Sequence, residues 1–271
     1  MKNKEVKILY YQQIKNEKTV FNTAFQSQHA VLLKGPTGCG KTRFVESMAE
    51  ELGRPLITVS CHEDLTAADL LGRFLLKGGE TVWIDGPLTR AVREGAICYL
   101  DEVVEARSDT TVAIHALTDH RRELFIERLN EKLIAPKDFM LVVSYNPGYQ
   151  SILKDLKPST RQRMVSISFD FPLPELEREI LVNESGIKTD LAEDIVKLAS
   201  ALRKLDIPGV PEVCSTRTLI TAADLIVKGM SPVSAVEAAI IEPLCDDIAI
   251  VSSLMDVAKN YLNDVKVELV S

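Results

Sequence analysis

Residues 30–42 read Ala-Val-Leu-Leu-Lys-Gly-Pro-Thr-Gly-Cys-Gly-Lys-Thr. A short apolar run leads into Gly35-x-x-x-x-Gly40-Lys41-Thr42. Past Thr42, Phe44, Val45, Met48, Ala49 and Leu52 fall on one face of a helix, and Gly53 supplies its stop. Strand, glycine-rich loop and helix in this order form a phosphate-binding loop. Gly35, Pro36, Thr37, Gly38, Cys39 and Gly40 make the cradle, because glycines let backbone N–H groups curl around phosphate oxygens without Cβ clashes. The helix that follows aims its positive end at the same anion. Lys41 is placed to meet the β- and γ-phosphates, and the Thr42 hydroxyl to ligate Mg²⁺.

A second stretch complements the first. Ile97-Cys-Tyr-Leu-Asp101-Glu102 is an apolar strand ending in two carboxylates, at the strand end where α/β proteins hold their ligands. Asp101 is expected to hold the Mg²⁺ through its water shell, and Glu102 to orient and deprotonate an attacking water. Asn146 in Ser144-Tyr-Asn-Pro147 is either a polar group aimed at that water or the γ-phosphate, or a turn residue before proline. Arg161 and Arg163 precede a later strand. They read as a surface ion-pairing doublet or as charges that stabilise phosphoryl transfer, one of them in a neighbouring subunit. Arg217, in the first turn of a later helix, is an ordinary charged residue or one that reaches back to the nucleotide. Cys61-His62-Glu63-Asp64 lacks zinc-site spacing.

The apolar runs Ala30–Leu33, Leu56–Val59, Ile97–Leu100, Phe139–Ser144 and Met164–Phe169 are short, β-branched and unalternating, as strands buried on both faces of a parallel sheet are. Helical patterns lie between several of them, which implies a doubly wound α/β domain over 1–172. From 173 to 271 only helical patterns remain, at about 174–185, 190–205, 216–229, 231–242 and 246–264, so a small all-helical second domain is expected. Asp190 is the expected N-cap of its helix, and Ser231-Pro232 opens the fourth. The stretch 206–211 reads as a loop. Residues 72–85, with Gly78-Gly79 at their centre, and residues 121–136 read as hairpin insertions.

Composition narrows the function classes. The 271-residue chain carries a net charge of −7, which argues against broad nucleic-acid binding. Five scattered cysteines without a C-x-x-C pair read as reduced thiols. No signal-like segment and no apolar run approaching the roughly 20 residues of a membrane span is present, so a cytoplasmic protein without membrane insertion is expected.

With these residues in place, the chain resembles the AAA+ ATPases of the MoxR branch, and within it the CbbQ/NorQ/GvpN group. The resemblance rests on Leu33–Val45, Cys61–Leu70, Gly86–Ala106, Ser144–Gln150 and Lys157–Arg163, and departs at Met164, where Phe is expected. It implies an α/β P-loop NTPase domain on a parallel five-stranded sheet, a helical lid domain, and β-hairpin insertions near the pore and sensor. It also implies a homo-hexamer hydrolysing ATP with Mg²⁺. Asn146 takes the first sensor role, Arg161 and Arg163 the finger roles, and Arg217 the second sensor role. CbbQ-like members work with CbbO, a von Willebrand factor A-type adaptor, to activate Rubisco by releasing inhibitory sugar phosphates. NorQ-like members work with NorD to mature nitric oxide reductase. The Rubisco-activating reading is the first expectation and the NorQ reading the alternative; a DNA-acting AAA+ ATPase is the more distant one.

Overall fold

The computed structural model describes residues 10–147, 156–205 and 213–262. The chain divides into two compact units: Met1–Gly35 with Lys41–Phe169, and Pro36–Gly40 with Asp170–Ser271.

The first unit holds strands β1 (Val31–Lys34), β2 (Leu56–Ser60), β3 (Gly72–Lys77), β4 (Glu80–Asp85), β5 (Ile97–Asp101), β6 (Glu123–Ile126), β7 (Glu131–Ile134), β8 (Met140–Tyr145) and β9 (Val165–Ser168). Its helices are α1 (Glu17–Gln26), α2 (Lys41–Glu51), α3 (Ala67–Leu71), α4 (Pro87–Glu94), α5 (Ser108–Ile114) and α6 (Pro158–Arg161). Five strands pair in parallel in the order β2-β5-β8-β1-β9. All five expected sheet strands are present. The central ones carry the expected two-sided burial: every residue of β8 is buried, as are the first four of β5. Parallel pairing brings the strand ends together, with Lys34 beside Tyr145 and Ser60 beside Asp101. The phosphate loop, the acidic pair and Asn146 therefore leave the sheet along one edge.

Helix α1 carried no sequence signal that stood out, yet it locks the start of α2 in place. Phe44 of α2 packs against Tyr11, Phe21 and Phe169 with ring centroids 5.2–5.3 Å apart. Such aromatic contacts fix orientation as well as burying area. Gly35 passes so close to β9 that a Cβ there would stand 2.6 Å from the Phe169 carbonyl oxygen, which only glycine allows.

Both hairpins form. β3 and β4 pair antiparallel across Gly78 and Gly79, whose φ values of +62° and +88° suit a two-residue turn. β6 pairs with β7. Arg93 of α4 reaches both, pairing with Asp85 at the base of the first hairpin at 2.9 Å and with Glu131 beside the turn of the second at 2.6 Å.

The second unit contains α7 (Pro174–Ser185), α8 (Thr189–Leu202), α9 (Thr216–Val227), α10 (Pro232–Val236) and α11 (Ile248–Lys259) around a core that includes Leu181, Ile195, Leu198, Leu219 and Ile240. Two expectations need correction. Lys188, not Asp190, is the N-cap of α8; Asp190 lies inside the first turn, where its charge still favours the helix N-terminus. The fourth helix does not run unbroken to 242. After α10 the chain widens into a π-turn over Glu237–Ile241 and tightens into a 3₁₀ turn over Glu242–Leu244. Pro243 lacks the N–H that an α-helical continuation needs. Ser231 does cap α10, accepting from the Ser234 N–H, with Pro232 at the first position. The 206–211 loop and residues 263–264 lie outside the described residues.

One buried ion pair organises this unit. The Glu177 carboxylate has no solvent exposure and accepts two hydrogen bonds from Arg203, each 2.8 Å, plus one from the Thr216 hydroxyl at 2.6 Å. Arg203 also stacks on Phe171 and donates to the Cys214 carbonyl. The start of α9, and with it Arg217, is held to α7 and the end of α8. Ser215 forms a capping box with Thr218. Within the same unit, a Cβ on Gly38 would fall 2.6 Å from the Ser215 Cβ and 3.3 Å from that of Arg217.

Candidate nucleotide site

Lys41 opens α2 and is buried, although ammonium groups are seldom found buried without partners. Its Nζ donates to the Gly35 carbonyl at 2.9 Å and to Asn146 Oδ1 at 2.7 Å. The other end of the same amide, Asn146 Nδ2, donates to Glu102 Oε1 at 3.0 Å. One side chain thus joins the phosphate-loop lysine to the carboxylate at the end of β5. The donor and acceptor ends of the amide match an ammonium on one side and a carboxylate on the other.

Asp101 is held more tightly than a strand-end carboxylate in solvent would be. Its Oδ1 accepts from the Tyr99 hydroxyl at 2.6 Å and from the Ser144 hydroxyl at 2.5 Å, while Oδ2 faces Thr42 Oγ1 at 3.4 Å. Glu102 adopts a left-handed backbone (φ +55°, ψ +48°), and its N–H donates to Ser144 Oγ at 3.0 Å. A non-glycine residue in that region is unfavourable and is retained where the surroundings enforce it, commonly at functional sites. Ser144 therefore ties both members of the acidic pair to β8.

Gly40 has φ +94° with nothing within 4 Å of the position its Cβ would take. The loop is therefore open at Gly40, next to the start of α2 in sequence. These features fit a polyphosphate. Thr42 and Asp101 fit Mg²⁺: a hydroxyl and a carboxylate, both hard oxygen donors, with the remaining positions left to phosphate and water. Among the described residues no group of three or more His, Cys, Asp or Glu stands ready to hold a metal alone.

Arg161 ends α6, and Arg163 follows it. Arg163 Nη1 pairs with Asp119 Oδ2 at 3.2 Å. Arg121 bonds the same carboxylate and holds it at about 2, below the usual range. The Thr160 hydroxyl meets His115 Nε2 at 3.0 Å, so α6 is tethered to the turn after α5. Burial, then the charges of Arg163 and Lys157, push the His115 pKa below 6.5. In the unfolded chain the imidazole takes up its proton more readily, so the contact contributes fully above pH 6.5 and is lost as pH falls below it. The thermal midpoint is expected to drop on acidification through that range, and the drop to shrink in His115→Gln. An unchanged drop would show that the His115 environment does not carry the effect.

The residue pattern placed Lys41, Thr42, Asp101 and Glu102 in one cluster, and the resemblance added Asn146, which spacing alone left between a turn and the site; the structure brings the five together. Sequence reasoning missed Tyr99 and Ser144. Tyr99 passed for one more apolar strand residue, yet it precedes Asp101 by two positions, which puts both side chains on one face of the strand. Arg217 stands at the second position of α9 in the second unit.

A parallel sheet ending in a phosphate loop, an acidic pair and a polar amide, followed by a helical unit, defines an AAA+-type P-loop ATPase. Residues 30–164 match the AAA domain (dynein-related subfamily), and residues 177–261 match the CbbQ/NirQ/NorQ C-terminal domain. The denitrification regulatory protein NirQ of Pseudomonas aeruginosa is 60% identical over 92% of this chain and 95% of its own length. Protein NorQ of Paracoccus denitrificans is 60% identical over 90% of each chain. Protein CbbQ of Hydrogenophilus thermoluteolus is 55% identical over 88% of this chain and 89% of its own. Among solved structures, a RuvB mutant of Thermotoga maritima covers 90% of this chain and 71% of its own with a TM-score of 0.54 at 18% identity, a likeness of fold. The chain belongs to the CbbQ/NirQ/NorQ family of AAA+ ATPases, enzymes that hydrolyse ATP. Among the described residues no helix is long and apolar enough to cross a membrane.

Proposed function

We propose that this chain couples hydrolysis of ATP at the Gly35–Thr42 loop to the remodelling of a client enzyme complex. The observation that carries this reading is Asn146, bonded through one amide to both Lys41 and Glu102. In this reading Lys41 leaves Asn146 Oδ1 for the incoming phosphate, and Asn146 transmits the arrival to Glu102, which orients the attacking water. Thr42 and Asp101 would hold Mg²⁺, which supplies charge neutralisation at the phosphates when bound. Arg161 and Arg163 serve as finger residues toward a neighbouring copy in a hexamer, and Arg217 reports on the nucleotide as second sensor. For Arg163, reaching a neighbour means giving up its bond to Asp119.

The site predicts that Lys41→Ala lowers nucleotide affinity by at least about tenfold, since a buried charge-assisted bond is lost. Titration with a fluorescent ATP analogue measures this; unaltered affinity would remove Lys41 from the site. The finger roles are tested by mixing Glu102→Gln subunits with Arg161→Ala or Arg163→Ala subunits. Partial recovery of turnover supports a finger acting between copies, and no recovery argues against it.

For the client, the NirQ relative of Pseudomonas aeruginosa and the NorQ relative are each 60% identical and the CbbQ relative 55%. This difference favours a nitric oxide reductase complex with a NorD-type adaptor over the Rubisco and CbbO-type pair that the sequence first suggested. The exposed Phe74, Leu75, Leu76, Val82 and Ile84 of the β3–β4 hairpin provide an apolar edge suited to gripping a client chain. Capture by a Glu102→Gln variant in ATP, with nitric oxide reductase and Rubisco offered separately, distinguishes the two. Retention of Rubisco alone would reverse that order of preference.

A further inference from the structure

We infer that Tyr99 is a positioning residue for the metal-binding carboxylate, an inference that rests on the nucleotide-site reading. Tyr99 is fully buried in the middle of β5. At such a position packing alone asks for an apolar side chain, and a phenol costs free energy unless its hydroxyl finds a partner. Its partner is Asp101 Oδ1, 2.6 Å away, and Thr42 Oγ1 lies 3.5 Å from the same hydroxyl. The Tyr99 hydroxyl thus lies within 3.5 Å of both side chains that fit the metal.

The geometry divides the carboxylate in two. Oδ1 is occupied by the Tyr99 and Ser144 hydroxyls, which approach from β5 itself and from β8. Oδ2 is turned toward Thr42. A carboxylate held by a single donor can swing about its χ2 bond; two donors on one oxygen fix the plane of the group. Oδ2 is then aimed toward Thr42 before nucleotide arrives, and the metal site is organised in advance. Ser144 uses both capacities of its hydroxyl, donating to Asp101 Oδ1 and accepting from the Glu102 N–H, so Tyr99 supplies the second hold on the carboxylate. With the Tyr99 hydroxyl removed, Oδ1 would keep the Ser144 donor alone, and the placement of Asp101 would loosen.

Tyr99→Phe tests this while preserving ring volume. Affinity for a fluorescent ADP analogue is measured in EDTA and across a titration with MgCl₂. The wild type serves as the reference for the underlying reading: if Mg²⁺ does not alter its nucleotide affinity, the site reading falls and takes the inference with it. Given a normal wild type, Tyr99→Phe is expected to raise the midpoint for Mg²⁺ about threefold to tenfold, the scale of one typical lost hydrogen bond. Its affinity in EDTA should equal that of the wild type. In an Asp101→Asn background the same change should add nothing, because Tyr99 acts through the carboxylate. A Tyr99→Phe protein with the wild-type Mg²⁺ midpoint would overturn the inference. So would a loss of affinity equal in EDTA and in Mg²⁺, which would assign Tyr99 to packing. If Tyr99→Phe fails to fold, Ser144→Ala, which likewise leaves Oδ1 a single donor, is expected to raise the Mg²⁺ midpoint, and an unchanged midpoint would overturn the inference.

Discussion

Glu102→Gln is expected to bind ATP as the wild type does and to hydrolyse it roughly 10²–10⁴-fold more slowly, the usual contribution of a general base. The amide keeps the size of the carboxylate and can still accept from Asn146 Nδ2, so the contact at 3.0 Å survives. What disappears is the ability to take a proton from water. The left-handed backbone at Glu102 and its N–H bond to Ser144 are unaffected, which makes the variant a clean removal of one function. Phosphate release and nucleotide binding, measured on the same preparation, separate the two properties. Turnover at the wild-type rate would place the base elsewhere.

The largest stability effect is expected at Glu177. Its carboxylate is fully buried and receives Arg203 twice and Thr216 once. Glu177→Ala leaves the Arg203 guanidinium, itself mostly buried, without a counter-charge and Thr216 without its acceptor. Removing one partner of a buried pair costs about 3–5 kcal/mol. The helical unit should therefore unfold at markedly lower denaturant. Replacing both Glu177 and Arg203 with apolar residues of similar volume should recover part of the loss, because the isolated charge is the costly species. If Glu177→Ala alone were neutral, the pair would not organise this unit. Because Thr216 adjoins Arg217, the same variant should also weaken any response that depends on Arg217.

Much of this was legible in the chain because the chemistry is local. The phosphate loop is a run of consecutive residues, and the acidic pair ends a run whose burial shows as uninterrupted apolarity. Asn146 was ambiguous between a turn and a sensor. Only the parallel register that sets β8 beside both β1 and β5 brings its amide between Lys41 and Glu102. Tyr99 stayed hidden because apolar patterning counts a tyrosine as core and says nothing of its hydroxyl. The Glu177–Arg203–Thr216 cluster joins three separate helices, and no spacing rule links them. The break within the fourth helix of the second unit was not foreseen, because periodicity continues through a π-turn with little change.

The measurement that bears most directly on the central claim is single-turnover hydrolysis by Asn146→Ala beside the wild type, with nucleotide affinity recorded in parallel. If Asn146 links the lysine that meets phosphate to the glutamate that directs water, the cleavage rate falls by about 10²-fold, the scale seen when one preorganised polar group is lost. Affinity then stays within about threefold, because the cradle is intact. An Asn146→Ala enzyme that cleaves bound ATP at the wild-type rate would contradict the account.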